Sequence, residues 1–341
     1  MITISVVMPT YNTPVPFLKE AVESILCQTF QDFEFIIVDD GTTDGSRQYL
    51  EELTDRRIRI IRNETNIGIT KSLNIGFREA KGRYIARMDG DDVSLPERFE
   101  KQLAFMKSHP NAIVCGTKTA KIGKRMSAPK RGMEDMESYR VRMLFANPGP
   151  VHSTAFFDRE KLNRFHILYD EELIYAQDYG MWMTISRYGD ICVLPEVLGL
   201  YRVHSDQISK AHRQSQIRCD KMTQRKLLTQ LLGNVTDEES DMHYRYSTGY
   251  YPDATLTPQI IEWYDRILAA NSQRKIYDQK KLKRRIVRIK RKLINQTFTK
   301  EMSTGEKAKL LFRHLPFWDA VYAVLRNMAL RIRRKARNNS V

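Results

Sequence analysis

Apolar positions in the first 115 residues alternate between short β-branched runs and stretches of helical period. "TISVVMP", "FEFIIVDD", "RIRIIRN", "RYIARMD" and "AIVCGTK" are runs of the strand type. Between them, "VPFLKEAVESIL" sets Phe17, Leu18, Ala21, Val22, Ile25 and Leu26 on one helical face. "SRQYLEEL", "ITKSLNIGFREAK", which Gly82 stops, and "LPERFEKQLAFMK", with Pro96 near its first turn, are helical too. This alternation predicts a parallel sheet covered by helices. From about 116 to 205 the pattern is less regular, with helices expected at "EDMESYRVRMLF" and "DYGMWMTISRYG" and strands at "HSTAFFD" and "ICVLPEVLGLYRVH". Beyond His204 it turns mostly helical, which divides the chain into an α/β domain over 1–210 and a helical extension over 211–341.

With 341 residues, 42% of them hydrophobic, the chain can bury the core of a catalytic domain and still carry an appendage. Cys27, Cys115, Cys192 and Cys219 form no CxxC and no Cys/His cluster, against a zinc site or a disulfide framework and in keeping with a reducing cytosol. "MITISVVMPTYN" lacks the basic region, apolar length and cleavage site of a signal peptide. No segment reaches the roughly 18–20 apolar residues that span a bilayer, so the expected location is the cytoplasmic side. Charge is the uneven property. The formal net charge is +15, yet residues 269–341 hold 21 Lys and Arg against Asp278, Glu301, Glu306 and Asp319, a net +17 that leaves −2 for the first 268. The basicity belongs to the appendage, whose partner is expected to differ from the substrate of the main domain.

Three strand ends carry polar groups that a buried sheet does not need: "PTYN" (Pro9 to Asn12), "VDDGTTDGS" with Asp39, Asp40 and Gly41, and "MDGDD" with Asp89, Gly90, Asp91 and Asp92. Each has a plain reading alone: a strand stop, a turn, and a cap by Asp92 on a helix starting near Leu95. Together they mark consecutive carboxyl ends, where open parallel sheets bind ligands. Crowded carboxylates raise one another's pKa unless a cation compensates. Neither GxGxxG nor GxxxxGK[ST] follows any of these strands, which excludes the dinucleotide fingerprint and the P-loop. An acidic pocket that holds a phosphorylated ligand needs a divalent cation, and hard oxygen ligands select Mg²⁺ or Mn²⁺.

"SVVMPTYN", "IIVDDGTTDGS", "NIGITKSLNIGFREAKGRYIARMDGDD" and "AQDYGMWMTISRYG" resemble, in order and at the usual spacing over residues 3–205, the motif series of family 2 glycosyltransferases. The resemblance implies a GT-A fold, a doubly wound and mostly parallel sheet flanked by helices. It implies a nucleotide-diphosphate sugar donor, with a UDP-sugar expected, an inverted anomeric centre, and a glycan or lipid-linked glycan acceptor in surface-polysaccharide synthesis. On that resemblance Pro9, Thr10, Tyr11 and Asn12 line the nucleotide, and Asp39 or Asp40 accepts from base or ribose. Asp89, Gly90 and Asp91 form the DxD that handles ribose and metal, and Asp92 supports their loop. Asp178 matches the base that deprotonates the acceptor, at the start of an amphipathic helix where burial beside Tyr179 and Trp182 raises its pKa. Lys71, Asn74 and Arg83 are candidates for phosphate or ribose, His204 for metal or pyrophosphate, and His152 for acceptor-side structure. Gln177 stands where the family usually has Glu, which removes a charge beside the base. Two alternatives remain: a nucleotidyltransferase, whose glycine-rich basic entry loop "PTYNTPVPF" lacks, and a catalytically silent scaffold that binds sugar nucleotides.

In the basic extension, "YDQKKLKRRIVRIKRKL" sets Leu282, Ile286, Ile289 and Leu293 along one stripe under a cover of Lys and Arg. "FWDAVYAVLRNMALRIRRKARNN" repeats the design with Phe317, Trp318, Val321, Val324 and Leu325. Basic amphipathic helices lie in the headgroup region of anionic membranes, the partner expected here. The alternative is a helical bundle packed on the catalytic domain. Nucleic acid is not expected, because no recognised module accompanies the charge. A homo-oligomer is left open.

Overall fold

The computed structural model describes residues 2–122, 135–204, 212–248, 257–297, 303–317 and 320–321. Two compact units divide the chain, Met1–Tyr139 with Asn147–Thr223, and Arg140–Ala146 with Gln224–Val341.

Along the first unit run β1 (Ile4–Thr10), α1 (Val15–Leu26), β2 (Phe33–Asp39), α2 (Gly45–Glu51), β3 (Ile58–Arg62), α3 (Ile69–Glu79), β4 (Tyr84–Arg87) and β5 (Val93–Ser94). There follow α4 (Arg98–Ser108), β6 (Ala112–Lys121), α5 (Met136–Met143, whose second half belongs to the second unit), a 3₁₀ turn (His152–Thr154), β7 (Phe156–Asp158), α6 (Arg159–Arg164), α7 (Gln177–Ile185) and β8 (Asp190–Tyr201). The strands form one sheet in the order β3-β2-β1-β4-β7-β6-β8-β5. The first four are parallel, β7 runs antiparallel to β4 and β6, and β5 antiparallel to β8.

β1 and β2 are buried at every position, as continuous apolar runs in a sheet covered on both faces must be. Ile4, Val6 and Met8 share a core with Leu18, Val22 and Ile25 of α1 and with Phe99 and Leu103 of α4. Val7 points the other way, against α3. There Gly76 admits the helix, since a Cβ at that position would lie 2.4 Å from Val7 Cγ1. The chain leaves β1 for β2 and β3 on one side and returns to β4 on the other, so the strand order reverses between β1 and β4. At such a reversal the carboxyl-end loops diverge and leave a crevice.

Three local expectations are corrected. "HSTAFFD" begins as a 3₁₀ turn and only Phe156–Asp158 is strand, because the Thr154 hydroxyl donates to Val151 O at 2.8 Å and accepts from Thr117 N at 3.0 Å, which closes a local turn. The helix expected from Leu95 starts at Arg98, because Leu95 N bonds Leu198 O and prolongs the β5–β8 pairing. Asp92 therefore caps nothing there. α7 is not amphipathic: Tyr179, Gly180, Met181, Trp182, Met183 and Ile185 are all buried.

The second unit holds α8 (Arg213–Leu232, which starts in the first), α9 (Asp237–Thr248), α10 (Pro258–Arg274), α11 (Gln279–Thr297) and α12 (Thr304–His314). The expected break at 210 lies outside the described residues. Leu282, Ile286, Ile289 and Leu293 of α11 are buried, and α11 packs on α9, α10 and α12. This corrects the expectation that the stripe enters a membrane: its neighbours already cover it. Trp318, Val324 and Leu325 of the second stripe lie outside the described residues. Among the described residues no helix is long and apolar enough to cross a membrane.

Gly76→Ala tests the fit of α3. At an ordinary helix position this change stabilises by about 0.5–1 kcal/mol. Here the new methyl meets a χ1-stiff valine in a filled core, and destabilisation by about 1–3 kcal/mol in urea unfolding is expected.

Candidate active site

The crevice begins with two loops held in register by β1 and β2. Pro9 is buried in β1, and Thr10 ends the strand opposite Asp39. Asn12 takes a left-handed backbone (φ 45°), which asparagine tolerates. Its Oδ1 accepts from Thr43 N at 2.9 Å, tying the β1–α1 loop to the β2–α2 loop and leaving Tyr11 exposed. Asp39 is fully buried and accepts from Thr42 N and from Arg62 Nε, both at 2.9 Å. Asp40 accepts from Asn63 Nδ2 and Ile67 N on one oxygen and from Gly68 N on the other, each at 2.9 Å. It thus clamps the turn before α3. Gly41 lets that turn approach: its φ is +75°, and a Cβ there would stand 2.6 Å from the carbonyl carbon of Thr65.

The acidic loop follows β4. Arg87, its last residue, is buried and donates to Asp89 Oδ2, and Gly90 sits beside the hydroxyls of Thr10 and Thr13. Asp89, Asp91 and Asp92 bring one carboxylate oxygen each within 4.8 Å of the others. β8 delivers two further side chains, because its pairing with β5 sets its end against this loop. Arg202 N donates to Asp92 Oδ1 at 3.0 Å and Arg202 Nε to Asp91 O at 2.8 Å, and its guanidinium lies 4.3 Å from the ring of Phe17. His204 Nε2 stands 2.9 Å from Asp91 Oδ2, across 113 residues of sequence. Burial, then the charge of Asp89, pushes the Asp92 carboxyl up to about 7, and burial raises that of Asp89 against the pull of Arg87. An all-oxygen set with one imidazole beside it fits Mn²⁺ or Mg²⁺, the imidazole favouring Mn²⁺.

A cavity of about 470 Å³ opens beside this cluster, with Arg87, Asp89 and Asp91 on its wall together with Asn147, His152 and Asp178. Asp178, in the first turn of α7, accepts from Asn147 Nδ2 at 2.8 Å and from Tyr179 N at 2.7 Å. Burial raises its pKa, and these two hydrogen bonds hold it down. His152 Nε2 meets the Tyr169 hydroxyl at 2.7 Å, and burial with the nearby charge of Arg87 keeps its imidazole neutral. Gln177 also lines the cavity, and its Oε1 is buried with no hydrogen-bond partner among the described residues.

Pro9, Thr10, Tyr11, Asn12, Asp39 and Asp40, expected at the nucleotide, do not line this cavity, and neither do Asn74, Arg83 and Lys71, expected at the phosphates or ribose. Asn74 spends its amide on Tyr169 O, Tyr169 N and Glu171 Oε1, all at 3.0 Å, and so positions the partner of His152. Arg83 precedes β4, at the amino end of the strand and away from the acidic loop at its carboxyl end, and pairs with Asp158 and Glu160. Lys71 is exposed on α3. The sequence reading missed Arg87, Arg202 and Asn147. Arg87 had a signal, a lone cation inside an apolar strand two residues before an acid. Asn147, in an irregular loop, had none.

Acids at a switch point, backed by fixed cations, face a half-buried carboxylate across one cavity of an α/β fold. The comparisons place that fold in a family. The family model "Glycosyl transferase family 2" matches residues 5–165. An uncharacterized glycosyltransferase of Haemophilus influenzae is 31% identical over 249 residues, 68% of this chain and 75% of the relative. An Escherichia coli protein named UDP-Glc:alpha-D-GlcNAc-diphosphoundecaprenol beta-1,3-glucosyltransferase WfgD is 26% identical over 213 residues, 60% of this chain and 79% of the relative. Among solved structures, the 1–349 fragment of S. aureus TarS in complex with UDP-GlcNAc aligns at TM-score 0.59 and 20% identity, covering 90% of this chain and 91% of that one. The mannosyltransferase PcManGT from Pyrobaculum calidifontis, in complex with GDP-Man and Mn²⁺, aligns at 0.53 and 17%, covering 94% and 86%. The chain belongs to glycosyltransferase family 2 and has its GT-A fold.

Asp40→Asn tests the clamp. An amide can accept on one side only, so at least one of the three donors loses its partner. Destabilisation by about 1–3 kcal/mol is expected, read by thermal or urea unfolding.

Proposed function

We propose that this glycosyltransferase moves a sugar from a nucleotide-diphosphate sugar, a UDP-sugar in the first instance, to a hydroxyl of a glycan or lipid-linked glycan, with inversion. One observation carries the reading: Asp89 and Asp91 share a single cavity with Asp178, metal-type carboxylates and a basic carboxylate bordering the same space. The names of the relatives support it, since WfgD specifies a UDP-glucose donor and a diphosphoundecaprenol-linked acceptor. A nucleotide-sugar donor puts the reaction on the cytoplasmic side of the membrane.

The residues divide the work. Asp39, fixed by Arg62, accepts from the base or ribose, while Thr10, Tyr11 and Asn12 border the nucleotide. Asp91 and Asp89, with His204 behind Asp91, would hold a Mn²⁺ or Mg²⁺, which supplies positive charge against the departing diphosphate. Arg87 favours the ionised form of Asp89 against the burial that raises its pKa. Asp178 takes the acceptor's proton as the acceptor oxygen bonds to the anomeric carbon and the bond from that carbon to the diphosphate breaks. Inversion follows when attacking oxygen and leaving group occupy opposite faces of the sugar. Burial makes Asp178 a stronger base than an exposed carboxylate, and Asn147 both orients it and keeps it ionised. Gln177 offers its free Oε1 to a sugar or acceptor hydroxyl without placing a second charge beside the base.

Every residue given a role lies between positions 9 and 204, so the chemistry is assigned to the α/β domain over 1–210 and none to the extension over 211–341. Purified protein offered a panel of nucleotide sugars with Mn²⁺ is expected to release nucleoside diphosphate slowly from one of them. No release from any donor would leave a binding scaffold, and release of sugar 1-phosphate, by cleavage between the two phosphates of the donor, would mark a nucleotidyltransferase.

Asp178→Asn is expected to lower kcat by about 10²–10⁴-fold with donor affinity nearly unchanged. Lost donor binding with surviving turnover would remove it from the base role. Asn147 stabilises the ionised form of Asp178, so Asn147→Ala is expected to raise that pKa and move the acid limb of kcat/KM to higher pH.

A further inference from the structure

The second unit carries a cationic cleft of about 490 Å³ lined by Lys280, Lys283, Arg284, Arg288 and Arg291 of α11, with Val287 between them and Pro316 at its end. These positions recur every three or four residues, so they form one face of α11. The opposite stripe is buried in the helical unit. At about 1.5 Å per residue the row runs roughly 16 Å. None of the described residues that line the cleft is acidic. The cation turned inward, Lys290, is paired with Asp265 at 3.0 Å, whereas Lys280, Lys283, Arg284 and Arg288 are exposed.

Beside Pro316 the surface changes character. Phe317 is 62% exposed and Phe312 43% exposed, and their rings lie 5.6 Å apart. Two large exposed apolar side chains next to a row of cations make a surface of mixed apolar and cationic character. Phosphate-bearing headgroups over an acyl boundary match both chemistries, because cations near an anionic surface and shallowly inserted aromatics add their free energies.

We propose that this face is a membrane-docking surface. Lys280, Lys283, Arg284 and Arg288 meet the phosphates of anionic lipid headgroups while Phe312 and Phe317 enter the interface. The docking element is thus the polar face of α11 with the α12–Pro316 turn, and not the apolar stripe of α11. The proposal does not depend on which sugar is transferred.

The test uses the full-length chain in co-sedimentation with phosphatidylcholine vesicles, with and without phosphatidylglycerol. Binding is expected only to the anionic vesicles, and it weakens as the Debye length falls from about 10 Å at 0.1 M salt to about 3 Å at 1 M. Reversing three cations together (Lys283→Glu, Arg284→Glu, Arg288→Glu) is expected to weaken binding roughly a hundredfold, with donor hydrolysis unchanged. The charge-conserving pair Arg284→Lys and Arg288→Lys keeps binding. Should the triple variant unfold, Lys283→Glu alone and Phe317→Ala alone each still predict a measurable loss. Equal vesicle binding by wild type and the folded reversal variants overturns the proposal. So does tighter binding to duplex DNA than to vesicles, or saturable binding of inorganic pyrophosphate that survives high salt.

Discussion

Three carboxylates forced within 4.8 Å at the end of β4 are the constraint on which the rest of the site depends. Their mutual repulsion in a partly buried loop is unfavourable, and the surrounding residues each answer part of it. Arg87 places a buried cation against Asp89, Arg202 binds the loop through Asp91 O and Asp92 Oδ1, and His204 faces Asp91. Arg87 in turn has a buried cationic neighbour, Arg98, which donates to Arg87 O at 2.8 Å and to Gln102 at 2.9 Å and whose pKa burial lowers to about 9. A buried charge of this kind is tolerated only while its partners stay in place. A bound divalent cation would complete a balance that the protein side chains leave negative.

The fold supplies the position. Because β1 has β2 on one side and β4 on the other, the strand order reverses there and the loops after β1, β2 and β4 border one crevice. β8 reaches the same place from far along the chain by pairing with β5, a strand of two residues. The parallel pairing of β8 with β6 runs on to Tyr201, so the two neighbours together set Arg202 and His204 against the acidic loop.

Periodicity made the first four strands and their helices legible, because a parallel sheet covered on both faces leaves unbroken apolar runs. The carboxylates were legible for the opposite reason: nothing in a core explains Asp89, Asp91 and Asp92 in a row. What escaped were the distant partners of Asn74 and Asn147. Asn74 sits in a motif yet spends its amide on Tyr169, 95 residues away. Asn147 lies in a loop without pattern and meets Asp178 only through the folded chain. In the basic extension the stripe of α11 was read correctly as amphipathic, but a sequence does not say which face is covered. Its apolar side is core and its cationic side is surface.

The central claim is that the acidic cluster holds a divalent cation and a nucleoside diphosphate together. Calorimetric titration of UDP into the protein with saturating Mn²⁺, and again with chelator, tests it most directly. Linkage requires each ligand to strengthen the other by the same factor. The account predicts UDP binding at least tenfold tighter with Mn²⁺, and an equal gain for Mn²⁺ when UDP is bound. UDP affinity that is the same with Mn²⁺ and with chelator would contradict it.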